Sequence, residues 1–570
     1  TRTGPSPSSM RAYSVAASVV AVLAYASLEL VKADREQGKL LTGGVPEWMS
    51  ECVMPVAWSI MSLWFIAKAS DRWFGRIVAL CVVVATFGLA TIQDQSPVFL
   101  WPLVLVILCG AFLGAPVFSA MGGIALLFFF HDGTPVGAVS AEVYRLIASP
   151  TIPAIPLLTA AGYILAEGRS AARLVRFFQS LVGWMPGGMA VMVAGVCAIF
   201  TTFTGGSGVT IIALGGLVLP MLMKAKYPEG FSLGLVTASG SLGLLFPPSL
   251  PVILYSVVAG TPADSLYLAG LVPGMLLVVL VAVYGIFTGF RTKEAPQKFV
   301  FREAVAATWG AKWELSLPVL VIVLFGSGWA SIVEASAAAC AYSVLISCAV
   351  TRDLSLKALP GVLGKAGALL GAVLMLLSVA MGLTSYLVDA QIPDELLAWV
   401  TEHIHSPVVF LLALNVILLV LGSVLEIYSA IIILVPLLVP MGEAFGVDPI
   451  HMGVIFLANL ELGFLFPPVG LNLFLSSARF SRPLTELYRH VVPFLVILGL
   501  GVLLITYVPD LSLGILKMLG RYEPPVAAEA ETESWMEGEI VPEGDAIPEY
   551  VPEEMETAGD TGGASPDAVK

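Results

Sequence analysis

The sequence LFPPS at Leu245–Ser249 recurs 220 residues later as LFPPV at Leu465–Val469. Each copy places two consecutive prolines inside a long apolar segment. A proline removes one backbone hydrogen bond from a helix and clashes with the preceding turn, and a second proline disfavours helical backbone for the first. We therefore expect Pro247–Pro248 to interrupt the segment 231–260, and Pro467–Pro468 to interrupt its later counterpart.

The composition around these motifs is that of a membrane protein. Of 570 residues, 58% are hydrophobic and 12% are charged, with a mean hydropathy of +0.91. Soluble domains have roughly a quarter of their residues charged. Many apolar runs are about 20 residues long, enough to cross a hydrocarbon core of ~30 Å, as at Tyr13–Leu30, Leu266–Phe290, Ala366–Val388 and Val491–Val508. The sequence predicts an all-α polytopic membrane protein, because barrel strands would alternate over about ten residues.

The net charge of −13 belongs to the C-terminal end. Residues 523–570 contain 14 acidic residues and one lysine, so the preceding chain is neutral, with 27 residues of each sign. This end is rich in Pro, Glu, Gly and Ala, a composition that predicts disorder. Basic clusters at Lys68–Arg76, Arg291–Lys312 and Lys517–Arg521 predict cytoplasmic loops, whereas the base-free loop at Thr91–Pro97 should face outward. The acidic tail should then be cytoplasmic.

The double prolines belong to an internal repeat. At the same offset, IIALGGLVLPM (Ile211–Met221) aligns with IIILVPLLVPM (Ile431–Met441), and Gly243 aligns with Gly463. Repeats with Gly- and Pro-interrupted segments at matching positions are typical of secondary transporters, and we expect these two to be inverted in the membrane. The predicted organisation is a membrane segment with a linking helix at 1–96, a first repeat at 97–290, a basic connection at 291–314, a second repeat at 315–516 and the acidic tail at 517–570.

Each repeat contains a second interruption upstream of its double proline. The sequence TTFTGGSGVT (Thr201–Thr210) combines three glycines with several hydroxyl groups. Its counterpart GSVLEIYSA (Gly422–Ala430) includes the carboxylate of Glu426. A broken helix presents free carbonyl groups and a positive N-terminal dipole, which suit a cation and a carboxylate respectively. The alternatives are a simple proline kink for the downstream breaks and close helix packing for the glycines.

The candidate binding residues lie at these four interruptions. The predicted ion- and substrate-binding residues are Thr204, Gly205, Ser207, Gly208, Thr210, Gly243, Pro247, Pro248, Ser249, Gly422, Glu426, Ser429, Asn459, Glu461, Gly463, Pro467, Pro468, Gly470 and Asn472. The predicted Na⁺ ligands among them are Ser207, Thr210, Gly243 and Gly463.

A carboxylate within a membrane span is costly and is by default a functional candidate. Glu461 could instead hold the ends of a broken helix together by accepting backbone N–H groups. Glu334 and Asp389 could equally cap helices.

Other classes of function lack their motifs. The sequence contains no GxxxxGK[ST], so an ATPase is unsupported, and no HExxH or GxSxG, so an intramembrane hydrolase is unsupported. None of the six cysteines falls in a CxxC pair that would predict a zinc site. We expect no enzymatic activity, no cofactor other than Na⁺ as a coupling ion, and no nucleic-acid partner.

Two long stretches resemble a known family. TGGSGVTIIALGGLVLPMLMKAKYPEGFSLGLVTASGSLGLLFPPSLPVILYSVVAG (Thr204–Gly260) and LEIYSAIIILVPLLVPMGEAFGVDPIHMGVIFLANLELGFLFPPVGLNLF (Leu425–Phe474) resemble the large membrane subunit of tripartite ATP-independent periplasmic (TRAP) transporters. The resemblance runs from about residue 101 to 515. Glu426 stands where the family usually has Asp, and the first-half loop reads Gly-Gly-Ser-Gly where many members read Ser-Gly-Ser-Gly.

Residues 1–96 resemble the C-terminal part of the family's small membrane subunit, fused through a linking helix at about Arg76–Ala90. GGVPEWMSECVMPVAWSIMSLWFIAKASDRW (Gly43–Trp73) resembles that subunit's last span. A complete small subunit would have about four spans, and this stretch has room for two before the linker. A truncated small domain, partnered by a separate or fuller small subunit, is therefore one expectation.

The resemblance implies an elevator-type secondary importer of the bacterial inner membrane. In such an importer, a periplasmic substrate-binding protein delivers an organic acid and a Na⁺ gradient drives its uptake. The alternative is a Na⁺/carboxylate carrier of related repeat architecture that works without a binding protein.

Overall fold

A computed structural model of the protein describes residues 7–40, 44–70, 73–91, 100–112, 115–292 and 298–522. These residues form helices joined by short connections, and ten of the described helices are long and apolar enough to cross a membrane. The prediction of an all-α polytopic membrane fold is confirmed. The predicted outward loop, at 92–97, and the acidic tail beyond residue 522 lie outside the described residues.

The N-terminal segment contains two long apolar helices followed by the helix that was predicted to link it to the first repeat. Its helices are α1 (Pro7–Gln37), α2 (Glu47–Glu51), α3 (Val53–Ala69) and α4 (Trp73–Thr91). The buried positions of α1 include the small residues Ala16 and Ala17, which allow close approach of α3. The hydroxyl of Ser62 on α3 donates to the carbonyl oxygen of Ala17, at 3.0 Å.

Ten helices follow in the first repeat. They are α5 (Leu100–Phe112), α6 (Val117–His131), α7 (Gly137–Ile147), α8 (Ala154–Glu167), α9 (Ser170–Val182), α10 (Gly188–Thr204), α11 (Ser207–Lys224), α12 (Glu229–Ser239), α13 (Leu250–Ala259) and α14 (Ala263–Thr292). Helices α6 and α7 pack against α1, so the N-terminal segment is continuous with this repeat.

The second repeat begins with α15. Its helices are α15 (Phe301–Gly326), α16 (Ile332–Val344), α17 (Leu359–Asp389), α18 (Ile392–His403), α19 (Pro407–Val424), α20 (Ile427–Ala444), α21 (Pro449–Gly463), α22 (Leu471–Phe480), α23 (Leu484–Tyr507) and α24 (Asp510–Met518). A π-helical turn at Leu345–Val350 extends α16.

The helix bounds repeat at the offset found in the sequence. Helix α11 spans 207–224 and α20 spans 427–444, while α10 ends at residue 204 and α19 at residue 424. The same glycines and prolines punctuate both copies, so helices end at equivalent places. The internal repeat is therefore present in the fold, whereas its inversion across the membrane stays a prediction.

The described helices pack as two groups. We call α1–α8 with α15–α17 the scaffold group, and α10–α14 with α19–α24 the break-bearing group, because the latter contains all four interruptions. Helices α8 and α17 of the scaffold group contact α10, α13 and α20 of the break-bearing group. Helices α9 and α18 connect the two groups along the chain.

A buried ion network holds α9 in place. The Nε of Arg173 on α9 donates to Glu314 Oε1 on α15 at 2.6 Å, and a terminal guanidinium nitrogen lies 2.6 Å from Asp353 Oδ2. The Glu314 side chain is 1% exposed. This network fixes a connecting helix of the first repeat to α15 and to the connection that precedes α17.

Two details differ from or refine the sequence predictions. Residues 301–314, predicted to belong to the basic connection, are the first half of α15. Their alanine-rich sequence has high helix propensity, and Glu303 in the first turn complements the helix dipole. Glu334 forms a capping box with Ser331, and Asp389 is the last residue of α17, so both carboxylates lie at helix ends.

Candidate functional site

The upstream break of the first repeat consists of two residues. Helix α10 ends at Thr204 and α11 begins at Ser207, leaving Gly205 and Gly206 between them. Gly205 has a left-handed backbone, with φ of +65°, and a Cβ on it would lie 2.6 Å from a methyl carbon of Leu250. Only glycine meets both demands without strain, so the predicted interruption at this place is confirmed.

Buried threonine hydroxyls tie this break to the double-proline break. Thr201 Oγ1 lies 2.8 Å from Thr210 Oγ1, and it lies between the carbonyl oxygens of Cys197, at 2.7 Å, and Gly240, at 2.8 Å. Thr202 Oγ1 likewise lies 2.9 Å from the carbonyl oxygen of Ala198 and 3.2 Å from that of Gly243. The two interruptions therefore form one hydrogen-bonded unit. Thr201 and Thr202 were missed among the candidate residues, although the TTFT sequence placed them next to the glycines.

The double prolines stand between short helices, as predicted. Residues 240–249 separate α12 from α13, and residues 464–470 separate α21 from α22. Both Pro–Pro peptide bonds, 247–248 and 467–468, are cis. The segments around them are short non-helical connections rather than kinks within continuous helices, so the alternative of a simple proline kink is excluded.

A glycine before each double proline packs against the helix that leads into the upstream break. A Cβ on Gly243 would lie 2.1 Å from the carbonyl oxygen of Ala198 and 2.7 Å from Thr201 Cβ. A Cβ on Gly463 would lie 2.8 Å from the carbonyl carbon of Gly422. The two contacts are equivalent in the repeat, and in each the glycine lets two backbones approach.

The upstream break of the second repeat has the same construction. Helix α19 ends at Val424 and α20 begins at Ile427, with Glu426 at the N-cap position. The backbone N–H of Gly470 donates to the carbonyl oxygen of Ser423 at 2.9 Å, which joins this break to the second double-proline segment. The structure therefore brings upstream and downstream breaks together in both repeats.

Hydrogen bonds also join one repeat to the other. Tyr428 of α20 donates to the carbonyl oxygen of Gly205 at 2.8 Å. Asn472 Nδ2 lies 3.3 Å from both the carbonyl oxygen of Thr237 and the hydroxyl of Ser241. The four breaks thus converge in one region of the break-bearing group.

Several oxygen atoms in this region are buried without a hydrogen-bond partner among the described residues. They are Ser207 Oγ, Ser239 Oγ, Ser249 Oγ, Asn472 Oδ1 and both carboxylate oxygens of Glu461. An unsatisfied buried polar atom is destabilising, so such atoms in a native protein call for a ligand, a water molecule or an ion. Hydroxyl, amide and carboxylate oxygens are the ligand types that hard cations prefer.

A cavity of about 380 Å³ lies where the two helix groups meet. Its break-bearing side is formed by Gly206, Ser207, Gly208, Val209, Leu244, Glu426, Ile427, Tyr428, Phe464 and Leu471. Its scaffold side is formed by Tyr163 of α8 and by Leu369, Ala372, Val373 and Leu376 of α17. No Lys, Arg or His is among these lining residues.

The structure divides the predicted site residues into distinct roles. Ser207, Gly208 and Glu426 line the cavity. Thr210, predicted as a Na⁺ ligand, has its hydroxyl in the threonine network, 2.8 Å from Thr201 and 3.3 Å from Thr204. The tertiary fold thus engages one of the two predicted hydroxyl ligands in protein hydrogen bonds and leaves the other unpaired.

Further predicted residues support the breaks from outside the cavity. Asn459 donates to Asn415 Oδ1 at 2.7 Å, which links α21 to α19, and it is absent from the cavity lining. Ser429 is buried on α20, and it is also absent from that lining. Glu461 lies within α21 and its carboxylate accepts no hydrogen bond from the described residues. The interpretation that Glu461 joins broken helix ends through backbone N–H groups is therefore wrong.

Among the residues that the structure describes, no group of three or more His, Cys, Asp or Glu side chains is placed to hold a metal ion. Any cation at the breaks would therefore take its ligands largely from hydroxyl, amide and backbone carbonyl oxygens. The cavity wall on α17 could not be predicted from the sequence, because its members are apolar residues typical of any membrane span.

Comparison with known proteins gives consistent results. The family model for the tripartite ATP-independent periplasmic transporter, DctM component, matches residues 103–511. The chain is 34% identical over 400 residues to the C4-dicarboxylate TRAP transporter large permease protein DctM of Pseudomonas aeruginosa, a match covering 70% of this chain and 93% of that protein. It is 30% identical over 482 residues to the isethionate TRAP transporter permease protein DctMQ of Oleidesulfovibrio alaskensis, covering 82% of this chain and 75% of that protein.

Two more distant similarities were found. The ectoine TRAP transporter large permease protein TeaC of Halomonas elongata is 29% identical over 405 residues, covering 70% of this chain and 95% of that protein. The solved structure of the YdaH transporter of Alcanivorax borkumensis is 17% identical, with a TM-score of 0.48, covering 67% of this chain and 88% of that chain.

Proposed function

The chain belongs to the DctM component family of tripartite ATP-independent periplasmic (TRAP) transporters, and from this premise we propose that it couples Na⁺ entry to the uptake of an organic acid by an elevator motion. Its relatives are named as transporter permeases rather than enzymes. Members of this family work with a periplasmic binding protein and a small membrane subunit, and its helices are those of a multi-pass membrane protein.

The observation that carries the proposal is the convergence of three helix N-termini on one cavity. Ser207, Ile427 and Leu471 are the first residues of α11, α20 and α22, and all three line it. The first backbone N–H groups of a helix have no partner within the helix, and the dipole there favours negative charge. An anion such as a carboxylate can bind at the ends of α11 and α22 without a basic side chain, whereas α20 has the Glu426 carboxylate at its own N-cap position.

Na⁺ supplies the positive charge that the cavity lining lacks. Ser207 Oγ is buried and unpaired at the start of α11, and Glu426 lines the same cavity. A Na⁺ ion held by such oxygens would offset both the Glu426 carboxylate and the charge of an anionic substrate. Substrate and ion would then stabilise each other's binding, which is the thermodynamic requirement for coupled transport.

The elevator motion is supported by the contrast between the two sides of the cavity. The polar atoms lie mainly on the break-bearing group. The scaffold side has one polar side chain, Tyr163 of α8, beside the apolar α17 wall of Leu369, Ala372, Val373 and Leu376. An apolar wall forms no directional bonds, so the break-bearing group can slide past it with substrate and ion attached. Helix α9, fixed by Arg173 to the scaffold group, would stay behind during that motion.

The expected partners follow from the relatives. One relative is named as a single permease protein DctMQ, which is consistent with a fusion of the small and large subunits. We propose that the segment at 1–96 is the small-subunit part of this chain. We further propose that a periplasmic binding protein delivers the substrate, that the protein lies in the bacterial inner membrane, and that its C-terminal tail is cytoplasmic. The relatives named for C4-dicarboxylates, isethionate and ectoine suggest a small charged organic solute.

Reconstitution into liposomes tests the proposal. Uptake of labelled succinate, isethionate and ectoine would be measured with an inward Na⁺ gradient, and again with K⁺ replacing all Na⁺. We expect uptake of one of these solutes to require Na⁺ and the cognate binding protein, and to be unaffected by ATP. Na⁺-driven uptake in the absence of any binding protein would favour the alternative carrier, and uptake that persists in K⁺ would refute Na⁺ coupling.

A further inference from the structure

A second cavity lies away from the breaks, between the end of α9 and the start of α15, and has a volume of about 100 Å³. Its lining residues are Arg176, Gln179, Ser180 and Trp184 on one side and Lys298, Phe299, Val300 and Glu303 on the other. We call it the α9 cavity. It adjoins the basic cluster that the positive-inside rule assigns to the cytoplasmic side.

The basic side chains that line the α9 cavity do not take part in the ion pairs of the described residues. Arg173, one turn earlier on α9, is paired with Glu314 and Asp353. Arg176 and Lys298, in contrast, form no ion pair within the described part of the chain, and both are exposed. With the carboxylate of Glu303, the lining carries a net charge of +1. It is therefore suited to a ligand group with one negative charge.

Neutral donors and apolar surface accompany these charges. Gln179 adds a side-chain amide to the lining. The Trp184 ring lies edge-on to Phe299, with ring centroids 6.5 Å apart, and its indole N–H donates to the carbonyl oxygen of Leu181. Trp184, Phe299 and Leu181 are all exposed large apolar side chains. A ligand in this cavity would thus contact basic groups and a hydrophobic surface at the same time.

We propose that the α9 cavity binds the phosphate group of an anionic phospholipid. One water molecule needs ~10–15 Å³ of cavity volume, so a cavity of about 100 Å³ holds several waters and has room for a phosphate group. Tryptophan is enriched at the membrane–water interface, where one end of a ligand is polar and the other apolar. The cytoplasmic leaflet is rich in anionic lipids that basic pockets attract. The acyl chains would lie along Phe299 and Leu181.

Titration of the purified chain with phosphatidylglycerol, followed by native mass spectrometry, tests this site. The variant R176A/K298A should bind the lipid roughly 30-fold more weakly, about fivefold for each basic side chain lost near a membrane surface. The matched control is R302A. Arg302 is an exposed base at the start of α15, close to Lys298 in the sequence, but it does not line the cavity. The charge-preserving variant R176K/K298R should retain most of the affinity.

Further measurements distinguish a lipid headgroup from free inorganic phosphate as the ligand, and they include the results that would overturn the proposal. Phosphatidylcholine, which has no net charge, should bind the wild-type chain as weakly as phosphatidylglycerol binds R176A/K298A. Inorganic phosphate that competes with the lipid at millimolar concentration would identify the soluble ion as a second ligand of the same site. Equal losses in R302A and R176A/K298A, or equal binding of both lipids, would overturn the proposal. Transport is not measured, so this result does not depend on the proposed function.

Discussion

The hydroxyl of Tyr428 donates a hydrogen bond to the backbone carbonyl oxygen of Gly205, at a distance of 2.8 Å. The two residues are 223 positions apart, and each belongs to the upstream break of its own repeat. Tyr428 also lines the cavity between the helix groups. The Tyr428 side chain therefore couples the geometry of the first break to that of the second.

Tyr428→Phe should lower the apparent affinity for Na⁺ while leaving the fold intact. The substitution keeps the buried ring and frees the Gly205 carbonyl from its fixed orientation. Since a typical hydrogen bond contributes about 1 kcal/mol, the Na⁺ concentration for half-maximal uptake should rise roughly fivefold. Tyr507→Phe is the matched control, because its hydroxyl donates to the carbonyl oxygen of Val408 at an exposed site. An unchanged half-saturating Na⁺ concentration in Tyr428→Phe would show that the hydrogen bond from Tyr428 to Gly205 does not contribute to ion binding.

Ser207→Ala and Thr210→Ala should have different effects, although both hydroxyls were predicted to bind Na⁺. Ser207 Oγ is buried and unpaired beside the cavity, so its loss should raise the half-saturating Na⁺ concentration without lowering the thermal stability. Thr210 Oγ1 is hydrogen-bonded to Thr201, so its loss should cost about 1 kcal/mol of stability. Uptake and thermal unfolding would be measured for both variants. Identical profiles would show that the two hydroxyls share one role.

Gly463→Ala and Gly243→Ala should each abolish transport and lower the melting temperature. A Cβ at either position would lie within 2.8 Å of backbone atoms on the facing helix, and backbone cannot move aside cheaply. Gly367→Ala on α17 is the matched control, since a Cβ there meets nothing within 4 Å. Uptake and thermal unfolding in detergent would be compared for the three variants. Active Gly463→Ala protein would contradict the close contact with Gly422.

Arg173→Gln should destabilise the protein strongly and reduce the sensitivity of its stability to acid. Removing one partner of a buried ion pair leaves an uncompensated charge on Glu314 and costs ~3–5 kcal/mol. Burial alone would raise the pKa of Asp353. The hydrogen bond and positive charge of Arg173, with smaller contributions from hydrogen bonds of Thr351 and the Arg169 backbone, outweigh burial and hold that pKa below its usual value.

The direction of the pH effect follows from that lowered pKa. A carboxyl group whose pKa is lower in the folded state stabilises the fold above its ordinary pKa, and this contribution disappears as the pH falls through the folded value. The melting temperature of the wild-type protein should therefore fall as the pH is lowered through the range below the usual Asp pKa. Arg173→Gln should show a shallower loss over the same range, and Arg173→Lys should be intermediate. Parallel pH profiles for wild type and Arg173→Gln would show that Asp353 does not depend on Arg173.

The sequence by itself determined the class of fold, the internal repeat and the places where helices break. These features are local: apolar runs of about 20 residues form membrane-spanning helices, and glycine or consecutive prolines end a helix wherever they stand. Gly205 and the two Pro–Pro pairs were therefore correctly identified as break residues. The helical start of α15 was missed because the basic residues spread over Arg291–Lys312 were interpreted as a loop.

Only the tertiary structure decided which of the break residues face the cavity and which bind other parts of the protein. Tyr428 and Gly205 are 223 residues apart, and Arg173 and Glu314 are 141 residues apart. Such pairs depend on how helices pack, and packing is set by side-chain shape along whole helices rather than by any short pattern. The same reason explains Thr210 and Asn459. Their residue types suit an ion site, but in the folded protein their polar atoms already have partners on neighbouring helices, and those partners cannot be identified from either sequence stretch alone.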